Sequence, residues 1–293
     1  MSKKKYPRHY SRDFHLWLKG TAVALIGLLV LVMSGCKDCQ APNAQQIIKI
    51  LTFGDSITRG VREGVKETQT FTYYLGILLN KDGFLAEMIN KGISGETTSG
   101  ALDRIDHDVT REKPNFVTIM YGTNDAFIDD YANESGHLPR IPIERYKINL
   151  LAIIQKLKAN NIKPILMTPI PMGRFWGSDI GIFKKNGINF KLKEYVEAIR
   201  NIAREENIPL VDHFNEWLNW EKRGKDIDTW MTDGIHPNPK GHRLMAATIF
   251  KLLKRIRILP GGFSSLRIWG NEPASGIMRP PGMRRILFYL FPV

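Results

Sequence analysis

The chain has 293 residues, 43% of them hydrophobic and 24% charged, enough for one large domain or two modest ones around a sizeable core. Its formal charge of +13 raises a nucleic-acid reading, but the surplus gathers at the two ends. Lys3, Lys4, Lys5, Arg8, Arg12 and Lys19 face only Asp13 before Cys36, and Arg267, Arg279, Arg284 and Arg285 face only Glu272 after Pro260. Basic ends flanking apolar segments suit anionic lipid, so no nucleic-acid partner is expected.

Residues 1–35 read as an export signal, with a basic stretch to Gly20 and an almost wholly apolar run from Thr21 to Met33, too short to cross a bilayer comfortably. The run ends Val32-Met33-Ser34-Gly35-Cys36, which resembles the lipobox of bacterial lipoproteins, with Met33 where leucine is usual. That resemblance implies lipidation of Cys36 and a body exported and tethered to a membrane; the alternative is an uncleaved anchor helix with an incidental cysteine. Cys36 and Cys39 form a C-x-x-C, but in a polar stretch rather than at the opening of a thioredoxin-like helix, so neither redox chemistry nor an internal disulfide is expected. Residues 36–45 read as a linker.

From residue 46 to 257 short apolar runs alternate with helical patterns. Ile48 to Phe53, Ala86 to Asn90, Phe116 to Tyr121, Lys163 to Thr168 and Pro209 to Asp212 read as buried strands bounded by Gly, Pro or Asp. Phe71 to Asn80, Ser99 to Arg111, Ile143 to Asn160, Phe190 to Glu206 and Pro239 to Arg257 carry apolar residues at helical spacing. Leu150, Ile153, Ile154 and Leu157 form one core-facing stripe; Leu244, Ala247, Thr248 and Leu252 are expected to form another. Strands joined by helices of this length predict a three-layer α/β/α sandwich with a five-stranded parallel sheet, in one domain. The tail, 258–293, is rich in Pro, Gly and Arg and is expected either to lie on a membrane surface or to be disordered.

Ligands of open parallel sheets bind beyond the carboxyl ends of the strands, and four polar clusters fall there. Gly54-Asp55-Ser56 follows the first strand, Gly92-Ile93-Ser94-Gly95-Glu96 the second and Gly122-Thr123-Asn124-Asp125 the third. Asp233-Gly234-Ile235-His236 comes beyond the fifth, after a helical stretch. Together they hold the parts that acyl transfer needs: a serine hydroxyl, an imidazole to take its proton, a carboxylate to hold the imidazole in one tautomer, and donors for an oxyanion. Taken singly, each cluster has a plainer reading as a turn, a loop or a helix cap.

In this order the blocks resemble those of the SGNH (GDSL) hydrolases, over essentially the whole body from Ile48 to about Leu253. The resemblance implies a flavodoxin-like fold and metal-free hydrolysis of O-acyl esters or thioesters; no cofactor is expected. It assigns Ser56 as nucleophile, His236 as base and Asp233 as its orienting acid. Ser56 and Gly95 through their backbone N–H groups, and Asn124 through its side-chain amide, would form the oxyanion hole. Asp55 and Asp125 are expected to be structural. The G-x-S-x-G elbow of α/β-hydrolases is missing, since Thr58 stands where its second glycine would, and no P-loop or dinucleotide fingerprint follows Gly54.

Two long rim loops, 126–142 and 169–189, together with Trp217, Trp220 and Trp230, offer aromatics that either stack on sugar or acyl groups or simply pack the loops onto the sheet. The expected substrate is an O-acylated glycan or cell-envelope ester, with O-acetyl among the acyl groups considered. The competing readings are a lysophospholipase or thioesterase acting on lipid-like chains and a non-catalytic glycan-binding lipoprotein.

Overall fold

The computed structural model describes residues 47–129, 138–174, 176–177 and 180–256. The export signal, Cys36, Cys39, the linker, Phe175, Arg257 and the tail lie outside the described residues. Five strands, β1 (Ile48–Gly54), β2 (Ala86–Gly92), β3 (Phe116–Met120), β4 (Lys163–Met167) and β5 (Leu210–Val211), form one all-parallel sheet in the order β2-β1-β3-β4-β5. The chain starts at β1, steps out to the edge at β2, and returns to β3 on the other side of β1. The reversal opens a crevice above the ends of β1 and β3, the usual ligand position in such sheets.

Alternation along the strands divides the core in two. Leu51, Phe53, Val117, Ile119 and Leu166 point to one face, against α3 (Thr98–Asp108), α4 (Ile143–Ala159) and α6 (Phe190–Glu205). Ile48, Ile50, Phe116, Ile165 and Met167 point to the other, against α2 (Phe71–Lys81), α7 (His213–Lys222) and α8 (Pro239–Arg255). The stripe Leu150, Ile153, Ile154, Leu157 is buried as its spacing predicts. The last helix is turned from its predicted face: Gly241, His242, Met245, Ala246, Ile249, Leu252 and Leu253 are buried, while Ala247 is exposed and Leu244 only partly covered. Its inner stripe begins with a glycine and a histidine, which hydropathy alone does not mark as core.

The structure adds two short helices that periodicity does not reveal, α1 (Ser56–Arg59) and α5 (Gly181–Asn186). Both are shorter than two turns, too short to display a 3.6-residue repeat. β1 and β2 run further than expected, with Gly54 pairing Gly92 on one side and Met120 on the other, while β3, β4 and β5 stop short of their expected ends.

Candidate active site

Helix α1 carries Ser56 at its first residue, directly off the end of β1. Asp55 caps it, its Oδ1 accepting the Ile57 N–H at 2.9 Å, so the aspartate shapes the turn. Burial pushes the Asp55 carboxyl up to about 7, with the Asp125 and Glu96 charges acting in the same direction and the Ile57 N–H opposing. The helix lies against β2, where the Asn90 amide donates to the Thr58 and Arg59 carbonyls at 2.9 and 3.2 Å. At Gly92 a side chain would have no room, because a Cβ there would sit 2.0 Å from the Arg59 backbone nitrogen.

Asp233 and His236 share one loop, closed by a bridge between Met231 and Pro237 and by the Thr232 N–H donating to the His236 carbonyl. Asp233 Oδ1 accepts the backbone N–H of Ile235 and of His236 at 3.1 and 2.9 Å, so the carboxylate is fixed by its own loop rather than capping a helix. It faces His236 Nδ1, 2.9 Å from Oδ2 and 3.1 Å from Oδ1. An ionised carboxylate only accepts, so Nδ1 carries the proton and Nε2 is left as the acceptor. Nε2 lies 2.8 Å from Ser56 Oγ, 180 positions away in sequence.

The serine of one block and the imidazole and carboxylate of another thus form one continuous hydrogen-bonded chain. Burial lowers the His236 pKa below its usual value, the nearby Arg62 charge adds to that, and Asp233 opposes it. The imidazole is therefore neutral and able to accept a proton at pH 7. Burial works against the Asp233 charge, but the His236 and Ile235 hydrogen bonds outweigh it and hold the carboxyl below its usual range.

Asn124 reaches the same crevice from the end of β3. Its amide nitrogen donates to the Glu96 carbonyl at 3.1 Å and lies 3.4 Å from Asp55 Oδ2, while its oxygen faces Arg140 Nη1 at 3.4 Å. These contacts fix which end of the amide faces the crevice, and they link Asn124 to both the Ser56 and the Gly95 loops. Gly95 has φ +77°, a conformation that glycine adopts without strain. Among the described residues, no acceptor is paired with the backbone N–H of Ser56 or of Gly95. Asp125, as expected, is structural: its Oδ1 accepts the Thr98 N–H and hydroxyl at 2.9 and 2.6 Å.

Sequence reasoning missed Arg62, whose Nη2 lies 2.7 Å from Asp233 Oδ2; nothing in its surroundings distinguishes it from other basic loop residues. The aromatics divide between the two readings. Trp217 and Trp230 are buried in the core, packed edge-on at 5.7 Å. Phe127, Trp176 and Phe183 instead make a ladder with 5.5 Å spacings, and Trp176 lies against Gly234 of the histidine loop. Among the described residues, no group of three or more His, Cys, Asp or Glu side chains is arranged to hold a metal ion.

The profile of the GDSL-like Lipase/Acylhydrolase family matches residues 52–244, a span that includes all four blocks. The chain belongs to this family. Membership sets the class of chemistry, hydrolysis of a carboxylic ester. Among relatives of this GDSL-like acylhydrolase, a Bacillus subtilis protein named uncharacterized lipoprotein YqeF is 29% identical over 238 residues, 75% of this chain and 93% of that one. A mouse protein named isoamyl acetate-hydrolyzing esterase 1 homolog is 27% identical over 243 residues, covering 78% and 90%. The crystal structure of an acetyl xylan esterase, AlAXEase, superposes with a TM-score of 0.56 at 28% identity, over 70% of this chain and 98% of that one.

Proposed function

We propose that this acylhydrolase is a serine esterase in which Ser56, His236 and Asp233 act as a triad and Ser56 N–H, Gly95 N–H and the Asn124 amide stabilise the oxyanion. The observation that carries this reading is the unbroken chain from Ser56 Oγ through His236 to Asp233. As Ser56 Oγ attacks the ester carbonyl carbon, its proton passes to His236 Nε2, and Asp233 stabilises the imidazolium that forms. The carbonyl oxygen becomes an oxyanion, stabilised by the Ser56 and Gly95 N–H groups and the Asn124 amide. Collapse of the tetrahedral intermediate breaks the bond to the alcohol oxygen, which leaves with the proton from Nε2. Water then repeats the sequence on the acyl-serine: His236 takes its proton, and the carboxylic acid departs as Ser56 Oγ recovers a proton.

The acyl group is short. Two relatives are named for esters of acetic acid, one with a small alcohol and one with a xylan. The Trp176 and Phe127 rings beside the histidine loop suit the apolar face of a sugar. We further propose that residues 1–35 direct export and that a lipidated Cys36 tethers the enzyme; the lipoprotein name of the Bacillus relative supports this.

Initial rates on p-nitrophenyl acetate, octanoate and palmitate, with Ser56→Ala as control, test the reading. A preference for acetate and release of acetate from acetylated xylan support it, whereas a preference for palmitate would move the substrate to lipids. A folded wild type as inert as Ser56→Ala on every ester would end the catalytic reading. Detergent phase partitioning of wild type against Cys36→Ala tests the tether.

A further inference from the structure

Gly95 has nothing within 4 Å of where a Cβ would lie, so the space beside this residue is open. The turn itself is weak, with the Glu96 N–H 3.4 Å from the Ile93 carbonyl. The loop is tied at its start by the Ile93 N–H donating to the Gly54 carbonyl at 3.0 Å and by Arg59 Nη1 donating to Ser94 Oγ at 3.2 Å, and on the far side of Gly95 by the side chain of the next residue. Glu96 points into the body of the protein, where its Oε1 accepts Arg104 Nε at 2.6 Å and its Oε2 accepts both Arg104 Nη2 and the Tyr121 hydroxyl, the latter at 2.6 Å. Arg104, on α3, also donates to Asp108 Oδ2 and to the Lys91 carbonyl, both at 2.9 Å, and to Tyr121 Oη at 3.1 Å. Its guanidinium lies 4.4 Å from the centre of the Phe53 ring.

Phe53 and Lys91 are the last residues but one of β1 and β2 and Tyr121 follows β3, so one cation ties the three strand ends around the crevice to the glycine loop. The Glu96 carbonyl accepts the Asn124 amide, which brings the second oxyanion donor under the same control. The Glu96 and Arg104 side chains are only 8% and 13% exposed. A buried ion pair contributes little net stability compared with an apolar replacement of the same volume, so what this pair holds in place accounts for it better than stability does.

We propose that Glu96, Arg104 and Tyr121 form a clamp of positioning residues that sets the Gly95 and Asn124 donors for the oxyanion. The clamp rests on the reading of Ser56, Gly95 and Asn124 given above. Tyr121→Phe removes a single hydroxyl and keeps the ring, which packs edge-on to Phe53 at 5.5 Å; Glu96→Gln removes the charge. Each variant is assayed on p-nitrophenyl acetate and for affinity towards a trifluoromethyl ketone, which forms the tetrahedral adduct. Tyr121→Phe should lower kcat about ten-fold and Glu96→Gln about a hundred-fold, with KM within two-fold and ketone affinity falling in step with kcat/KM.

In an Asn124→Ala background the Tyr121→Phe factor should shrink, because part of what it positions is gone. Ser56→Ala, run in parallel, separates the two readings: if it stays active, the site assignment fails. If it is inactive while Tyr121→Phe keeps wild-type kcat and ketone affinity, the clamp alone is overturned. Should Glu96→Gln not fold, Tyr121→Phe decides.

Discussion

Gly92→Ala tests whether the nucleophile's position depends on a bare contact between helix α1 and strand β2. A Cβ at residue 92 would lie 2.0 Å from the Arg59 backbone nitrogen, 2.6 Å from its Cα and 2.6 Å from the Thr58 carbonyl carbon. All three are backbone atoms of α1 that no rotamer change can clear. Real Cβ atoms essentially never come within 3.0 Å of another heavy atom, so helix and strand have to separate by about 1 Å.

The helix is a single turn, with the Arg59 N–H bonded to the Asp55 carbonyl and the Gly60 N–H to that of Ser56, so it moves as a body and takes the serine with it. A shift of that size carries Ser56 Oγ from 2.8 Å to beyond hydrogen-bonding reach of His236. The expected result is a fall in kcat on p-nitrophenyl acetate of about a hundred-fold, with about 1–3 kcal/mol lost in urea unfolding. A Gly92→Ala protein that loses stability but keeps kcat within two-fold would show that the edge strand yields instead, and would refute the reasoning.

His236→Ala should match Ser56→Ala in losing nearly all turnover, while Asn124→Ala, with one oxyanion donor removed, should lose about two to three orders of magnitude in kcat at unchanged Tm. Because His236 works deprotonated and burial lowers its pKa, the acid limb of kcat/KM should have its midpoint below the ordinary histidine value, about 6.5. An acid limb with its midpoint above that value would contradict this. In Arg62→Met the cation that helps depress His236 is gone, so the same midpoint should rise; an unmoved limb would show that Arg62 acts only on the loop. Buried His213 has both ring nitrogens unpaired and is driven down to about 3 by burial. The unfolded chain therefore takes up a proton there below about pH 6.5 that the folded one refuses, and stability falls as pH drops towards 3. His213→Leu should flatten that decline in urea midpoints measured from pH 7 to pH 4.

Much of the sheet is legible in the sequence because its central strands β1 and β3 are buried along nearly their whole length and read as largely apolar runs. The strand ends are less legible: Gly54 and Gly92 look like turn residues, yet both remain in register so that α1 can approach β1 and β2 closely. The face of α8 was misjudged because His242 belongs to the core, where its Nδ1 accepts the Phe71 N–H at 3.2 Å. Ser56, Gly95, Asn124, Asp233 and His236 are legible because their chemistry is local to short blocks. Arg62, Arg104 and Tyr121 are not, since what brings them to the site is the folding of remote segments, and a basic or phenolic side chain on a helix or strand end has many ordinary uses.

In the proposed triad the carboxylate and the imidazole are three positions apart, whereas the serine is 180 positions from the imidazole. In chain-closure entropy the long link costs about 3–4 kcal/mol more than the short one. The loop between Met231 and Pro237, closed by its own bridge and hydrogen bonds, is thus a ready-made cartridge carrying the carboxylate and the imidazole together. Anyone rebuilding this centre on another scaffold has two bodies to align, the cartridge and the serine turn, not three independent side chains.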